Sequence, residues 1–357
     1  MTQPASYDGA AFESLALKIL GEFQADPPAL AWARVRCMNI FARIAYVVAE
    51  LKIADLLQEA PRTSAELARL TGTHETSLFR VMRALASAGV FTEDAQARFA
   101  LTPMGRLLCS DAPEGARALM LENNPTRLRP FDGLLETVKT GQPTFERVTG
   151  QSYFDSLRAN PRDGQGFDLL MTQSVALRAG ALMATYDFSR VGRVIDVGGG
   201  EGGLAAALLE QHPSLKATVL DLPGAIENAR LFLGQRQMLD RCELVAGSFF
   251  EAIPAGGDVY VLAWILHDWD AARCEQVLRT CRKAMGPDAR LLLIERVRTP
   301  GKEPSLVEFS DVELMEILPG EERSEETFRA MLSRTGFELL RHVPTPYQFS
   351  LLEASPV

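Results

Sequence analysis

The spacing of apolar positions changes along this chain, and the changes predict its elements. From about Ala11 to Gln58 apolar residues recur at helical spacing, broken at Asp26-Pro27-Pro28. Within that stretch, Ile40 to Leu57 is apolar around most of the helix circumference. Such a helix needs cover on several sides, and a second copy of the chain is a natural cover. Thr63 to Gly72 then reads as an N-cap, a short helix and a turn, with a second helix from His74 to Ala88 and a small hairpin from Gly89 to Thr102. Helix, turn, helix and hairpin make a winged helix. Residues 110 to 185 read as mainly helical, with breaks at Gly141-Gln142-Pro143 and Asn160-Pro161.

From Asp187 onward short apolar runs alternate with helical patterns. Strands are expected at Arg193 to Val197, Ala217 to Leu222, Cys242 to Ala246, Asp258 to Leu266 and Arg290 to Val297. Alternation of this kind predicts an α/β fold, a mostly parallel sheet with helices on both faces. Gly336 to Val343 and Gln348 to Glu353 look like a closing hairpin. The expected organisation has three segments. Residues 1–110 form a helical and winged-helix domain, 111–185 a helical bridge, and 186–357 an α/β domain.

A length of 357 residues accommodates two domains, and 47% hydrophobic with 23% charged residues is a balance typical of soluble globular chains. The net charge of -9 argues against a general binder of nucleic acid. The winged helix agrees with that: its second helix carries Arg80 and Arg83 but also Glu75, and its hairpin carries Glu93 and Asp94. A helix that reads an operator presents a stronger cationic face, so dimerisation and pocket building are the expected uses of this module. The five cysteines, Cys37, Cys109, Cys242, Cys274 and Cys281, are scattered with no metal-ligand spacing, so no metal is expected. No leader-like or membrane-spanning apolar run appears. The expectation is a cytoplasmic protein without nucleic-acid or membrane partners.

The candidate chemistry begins at Arg193-Val-Ile-Asp-Val-Gly-Gly-Gly-Glu-Gly-Gly203. A buried strand runs into a glycine-rich turn and then a helix, an arrangement that holds nucleotide-bearing cofactors. Gly198, Gly200 and Gly203 satisfy GxGxxG, which alone fits both a nicotinamide dinucleotide and S-adenosylmethionine. Asp221 ends the next strand roughly 20 residues later, suited to ribose hydroxyls in either case. Two features favour S-adenosylmethionine: the carboxylate Asp196 just before the first glycine, and the segment Asp258 to Asp270, where a buried strand is expected to end at His267. That would place an imidazole at the carboxyl edge of the sheet, where doubly wound folds bind ligands. A nicotinamide-dependent oxidoreductase is the less favoured alternative.

With these residues in place the chain resembles the S-adenosylmethionine-dependent small-molecule O-methyltransferases of plant natural-product pathways and their bacterial antibiotic-pathway relatives. The marks are Asp196-Val-Gly-Gly-Gly-Glu-Gly202, Asp221-Leu-Pro223, His267-Asp-Trp269, Glu295, and Pro319-Gly-Glu-Glu-Arg-Ser324. The resemblance covers nearly the whole chain. It implies a Rossmann-like methyltransferase sheet behind an N-terminal α-helical winged-helix dimerisation domain, a homodimer formed through the N-terminal helices, and an aromatic small-molecule acceptor. It makes His267 the general base, with Glu295 and Glu322 as supporting carboxylates. Asp196, Gly198, Gly200, Asp221, Leu222, Ser248, Phe249 and Ala263 fall at cofactor positions. Phe154, Phe167 and Met171 fall at acceptor-pocket positions, and Trp264, Met315 and Leu318 are plausible additions.

Two positions depart from the family pattern. Ser248 stands where plant members carry an acid toward the adenine, and Ala263 stands where a lysine is frequent. Some bacterial relatives keep fold and cofactor yet decarboxylate or hydroxylate, having lost the base. Retention of His267 argues for methyl transfer.

Overall fold

A computed structural model describes residues 27–112, 116–299, 306–345 and 349–357. The helical expectation for Ala11 to Asp26 and the strand start at Gln348 lie outside the described residues. Among the described residues the chain forms two compact units, one holding residues from 27 to 133 with 146–173, the other 134–145 with those from 174 onward.

In the first unit, helices Pro28–Glu50 and Ile53–Leu56 precede the short strand β1, Arg62–Thr63. Thr63 then caps helix Ser64–Thr71 reciprocally. Its Oγ1 accepts the Glu66 N–H at 3.3 Å, and Glu66 Oε2 accepts the Thr63 N–H at 2.8 Å. This satisfies two donors that a helix start leaves open. Helix Glu75–Ser87 and strands β2 (Phe91–Glu93) and β3 (Arg98–Leu101) complete the winged helix, with β3 between β1 and β2.

Leu67, Met82, Leu85, Phe91 and Phe99 form its core together with Val48, Ile53 and Leu57. The chain thus covers the second half of the apolar Ile40 to Leu57 stretch itself. Most of the uncovered apolar surface of the long helix lies earlier, at Leu30, Trp32, Val35, Met38 and Ile40, with Val47 also exposed. Among the described residues, no helix is long and apolar enough to cross a membrane.

The second unit is built on a seven-stranded sheet in the order β11-β12-β8-β7-β4-β5-β6. Its strands are β4 (Arg193–Val197), β5 (Lys216–Asp221), β6 (Cys242–Ala246), β7 (Val259–Ala263), β8 (Arg290–Glu295), β11 (Phe337–Pro344) and β12 (Ser350–Pro356). Strands β4 to β8 pair in parallel, and the β11–β12 hairpin adds antiparallel to β8. A separate two-stranded pair joins β9 (Val297–Arg298) to β10 (Arg323–Ser324).

Burial on both faces explains the continuous apolar runs of the central strands. Val194, Val219, Val261 and Leu292 sit in one core, and Ile195, Tyr260, Leu262 and Leu293 in the other. The strand order reverses between β4 and β7, which makes the crevice outside their carboxyl ends the expected ligand position.

One expected element is corrected. The strand predicted to run to Leu266 and end at His267 stops at Ala263. Trp264 turns the chain with φ 63°, and His267 lies in a 3₁₀ turn, Leu266–Asp268. The N–H groups of Ile265 and Leu266 go to a side chain, Glu295 Oε1, instead of to a neighbouring strand. Continued apolarity kept the sequence pattern strand-like beyond the point where ladder bonding ends.

Candidate active site

The glycine turn after β4 shows two distinct reasons for glycine. Gly198, at φ 73°, is crowded: a Cβ there would lie 2.6 Å from Ile265 Cδ1. Gly200, at φ 57°, faces open space, with nothing within 4 Å of where a Cβ would stand. The N–H of Gly200 donates to Asp221 Oδ2 at 2.8 Å, and Leu222 N–H donates to Oδ1 at 2.7 Å, so Asp221 ties the turn to the end of β5. Leu222 itself is exposed.

After β6, Ser248 Oγ accepts the Phe250 N–H at 3.3 Å, and the Phe249 ring comes within 3.4 Å of where a Cβ on Gly198 would stand. Asp196, at the end of β4, is almost fully buried and its Oδ2 has no hydrogen-bond partner among the described residues. Burial pushes its carboxyl up to about 7, against the pull of the Arg178 guanidinium. The open side of Gly200, beside Asp221 and close to Gly198 with its Phe249 neighbour, leaves room for an adenosyl group, and Oδ2 of the buried Asp196 is an unpartnered acceptor among the described residues.

Next to this cradle, across the switch point, stands the turn that carries His267. Its backbone is satisfied from several directions. Glu295 Oε1, at the end of β8, accepts the N–H groups of Ile265 at 3.1 Å and Leu266 at 2.8 Å. Arg323, buried to 2% exposure, donates to the carbonyls of Leu266 at 2.8 Å and Trp269 at 2.6 Å. Glu321 N–H donates to the His267 carbonyl at 3.0 Å. Ala263, the last residue of β7, gives its carbonyl to Arg178 Nη1 at 3.0 Å.

The imidazole itself has carboxylates on both sides. His267 Nε2 lies 3.3 Å from Asp268 Oδ1, and Nδ1 lies 3.7 Å from Glu322 Oε1, longer than a hydrogen bond. Glu322 is held in turn by Ser310 Oγ, which donates at 2.8 Å, while its own N–H donates to Asp311 Oδ1. Burial alone would lower the His267 pKa, but the negative charge of Asp268, Glu322 and Glu295 outweighs it and the value is raised. Glu295 is itself pushed up to about 7 by burial. Burial works in the same direction on Glu322, yet His267 and Arg296 hold that carboxyl below its usual range. The arrangement therefore favours a positive imidazole once a proton arrives.

His267, Glu295, Glu322, Asp196, Gly198, Gly200, Asp221, Leu222, Ser248, Phe249, Ala263 and Trp264 all belong to the carboxyl edge of one sheet or the loops beyond it. Met315 and Leu318 are half-buried, on and just after helix Leu306–Ile317 in the same unit. Phe154 and Phe167 belong to the first unit, where they pack edge-to-face with Tyr153 at 5.5 and 5.9 Å, and Met171 lies on helix Pro161–Thr185.

The sequence places Asp268 and Arg323 within motifs without assigning them roles, and it gives no sign of Arg178, Ser310 and Asp311. Only the motif spellings could have flagged the first two. The others reach the site from distant helices.

Glu295→Leu would orphan one buried and one partly buried N–H group at once. It should destabilise the protein by roughly 2 kcal/mol or more, read as a lower urea midpoint with an unchanged slope. Glu295→Gln, which keeps an accepting oxygen, should lose much less.

Residues 131–338 match the family model of an O-methyltransferase domain and residues 37–111 that of an O-methyltransferase dimerisation domain. A phenazine O-methyltransferase of Lysobacter antibioticus is 37% identical over 87% of this chain and 92% of its own length. The mitomycin biosynthesis 6-O-methyltransferase of Streptomyces lavendulae is 38% identical over 85% and 87%. Among solved structures, an O-methyltransferase from neocarzinostatin biosynthesis, in complex with S-adenosylmethionine and 2-hydroxy-5-methyl naphthoic acid, superposes with a TM-score of 0.80. That match has 34% identity and covers 89% of this chain and 96% of the other.

Proposed function

The chain belongs to the O-methyltransferase family and uses S-adenosylmethionine, and from that premise we propose that it methylates a hydroxyl, phenolic in kind, on an aromatic small molecule of secondary metabolism. The observation that carries this reading is the position of His267, on the turn after β7, one strand away from the glycine turn after β4. When bound, S-adenosylmethionine supplies a methyl group made electrophilic by a sulfonium sulfur.

The chain's residues do the rest. Asp221 meets the ribose hydroxyls, Ser248 and Phe249 the adenine, and Asp196, Gly198, Gly200, Leu222 and Ala263 complete the cofactor's surroundings. A phenol titrates near pH ~10 and is a weak nucleophile at neutrality, so His267 removes its proton as the oxygen attacks. Asp268 and Glu322 favour the imidazolium that results, while Glu295 fixes the turn. The acceptor-lining roles of Phe154, Phe167, Met171, Trp264, Met315 and Leu318 rest on the resemblance and on aromatic and thioether surfaces suited to flat rings.

Incubating the protein with labelled S-adenosylmethionine and a panel of phenols, hydroxyphenazines and polyketide aromatics tests this directly. Label should appear in an O-methyl product, and label retained in the cofactor throughout would overturn the reading.

We assign residues 1–110 to dimerisation, 111–185 to a bridge contributing to the acceptor pocket, and 186–357 to cofactor binding and catalysis. The exposed Leu30, Trp32, Val35, Met38 and Ile40 support a homodimer through the N-terminal helices. Trp32→Glu with Met38→Glu should convert a dimer to a monomer in light scattering, and an intact dimer in that variant would contradict the assignment. All five cysteines are free thiols, which suits a cytoplasmic, reducing compartment.

A further inference from the structure

Asp268 Oδ1 lies 3.3 Å from His267 Nε2, but the other side of the ring is loosely held. Nδ1 has no hydrogen-bond partner among the described residues, Glu322 stands 3.7 Å away, and Glu295 is engaged with backbone. What lies flat against the imidazole is Trp264, with ring centroids 4.9 Å apart and 16° between the planes.

The indole reaches that position at a cost. Trp264 adopts φ 63°, a left-handed conformation that bulky residues rarely take, and its Nε1–H is buried without an acceptor among the described residues. Its surroundings hold it there. The Trp264 N–H donates to the Ile294 carbonyl at 2.7 Å, Phe349 packs edge-on at 5.4 Å, and the Arg296 guanidinium lies 4.9 Å from the ring centroid. A strained backbone and an unsatisfied donor persist where neighbours over-determine them, and here they keep an aromatic face on the base.

We propose that Trp264 is a positioning residue for His267: its stacked indole fixes the plane of the imidazole and, through its electron-rich face, favours the imidazolium formed when the acceptor releases its proton. The proton's source rests on the methyltransferase reading, whereas the stacking does not.

Several charged groups face this pair. Asp268 and Glu322 flank the imidazole, and Glu295 approaches from β8. Arg178 and Arg296 reach the indole at 5.8 and 4.9 Å, and Arg323 reaches the backbone of the same turn. The carboxylates and the indole favour the cation, and the arginines oppose it. Removing the indole leaves the carboxylates in place but takes away one favourable contact, so the imidazole should lose its proton at lower pH.

Two measurements test the proposal. With four histidines in the chain, the ring signals of His267 in protein labelled with carbon-13 histidine are identified by their loss in His267→Ala. The pKa they report should fall by about half a unit to one unit in Trp264→Leu, and by less in Trp264→Phe, which keeps an aromatic face. Trp264→Met carries the same titration if the leucine variant does not fold. An unchanged His267 pKa in a folded non-aromatic variant overturns the proposal.

The second measurement compares methyl transfer to a phenol of ordinary acidity with transfer to a nitrophenol already ionised at neutral pH. Trp264→Leu should lower kcat about tenfold more on the first than on the second, with KM little changed. Equal losses on both would mean that Trp264 only lines the pocket, and would overturn the proposal. A wild-type protein that methylates no phenol would instead break the functional reading, while the titration still decides the role of Trp264.

Discussion

His267→Ala should lower turnover on a phenol of ordinary acidity by about 10²-fold or more, the usual scale of general-base catalysis, with the affinity for S-adenosylmethionine almost intact. The separation follows from the geometry. The imidazole lies on the turn after β7, while the cradle residues Gly200 and Asp221 hold each other through the Gly200 N–H. Removing the ring leaves the tie between β4 and β5 untouched.

The pH dependence carries a sign. Carboxylates raise the His267 pKa above its ordinary value of 6.5, so the neutral, proton-accepting form dominates only above that value. Wild-type turnover should therefore climb with pH through and beyond the normal imidazole range. The same shift makes the protonated ring a stabilising group, an effect present below pH 6.5 and lost as pH rises through the raised value. Wild-type rates in His267→Ala on such a phenol would mean that positioning alone drives the reaction, or that another residue is the base. A steep fall in rate confined to a phenol already ionised at neutral pH would be equally inconsistent with a proton-accepting role.

The legible parts of this molecule were those in which one period or one motif settles a local structure. The winged helix was readable because Thr63 and Glu66 cap a helix that Gly72 ends, and these signals lie within ten residues of one another. Strands β4, β5 and β6 were readable to within a residue because their apolar runs stop where glycine, proline or a carboxylate begins. The end of β7 was not, since Trp264, Ile265 and Leu266 extend the apolar run past the ladder. What ends that strand is Glu295, which is 30 positions from Ile265 and captures two N–H groups. A contact at that separation leaves no trace in local periodicity.

For the site, the motif spellings located His267, Glu322 and Asp221, but the spellings do not say which atom each one serves. Glu295 is expected to support the imidazole; its Oε1 bonds the backbone of the turn, and its negative charge also helps raise the His267 pKa. Arg178 comes from helix Pro161–Thr185 and was invisible because a lone arginine on a long helix reads as a solvated residue. The uncovered apolar surface at Leu30 to Ile40 shows a third limit. A helix apolar all round announces that it will be covered, but whether the chain or a partner covers each part depends on the tertiary fold.

The proposed cofactor cradle gives the second large effect. Gly200→Val should weaken S-adenosylmethionine binding by about tenfold or more, roughly 1.4 kcal/mol, when measured by calorimetry. A Cβ at Gly200 meets no atom within 4 Å apart from its chain neighbours, so on the proposed cofactor placement a valine projects into the space assigned to the cofactor, and the left-handed φ of 57° adds strain of its own. Gly198→Val differs because its Cβ would press within 2.6 Å of Ile265 Cδ1, beside the His267 turn. That variant should lose thermal stability as well as affinity, whereas Gly200→Val should lose affinity out of proportion to its change in melting temperature. Asp221→Ala should match or exceed the Gly200 loss, since it removes the carboxylate proposed for the ribose and frees the N–H groups of both Gly200 and Leu222. A folded Gly200→Val protein with wild-type calorimetric affinity would place the cofactor somewhere other than the space above this turn, and normal binding by Asp221→Ala as well would remove the end of β5 from the site altogether.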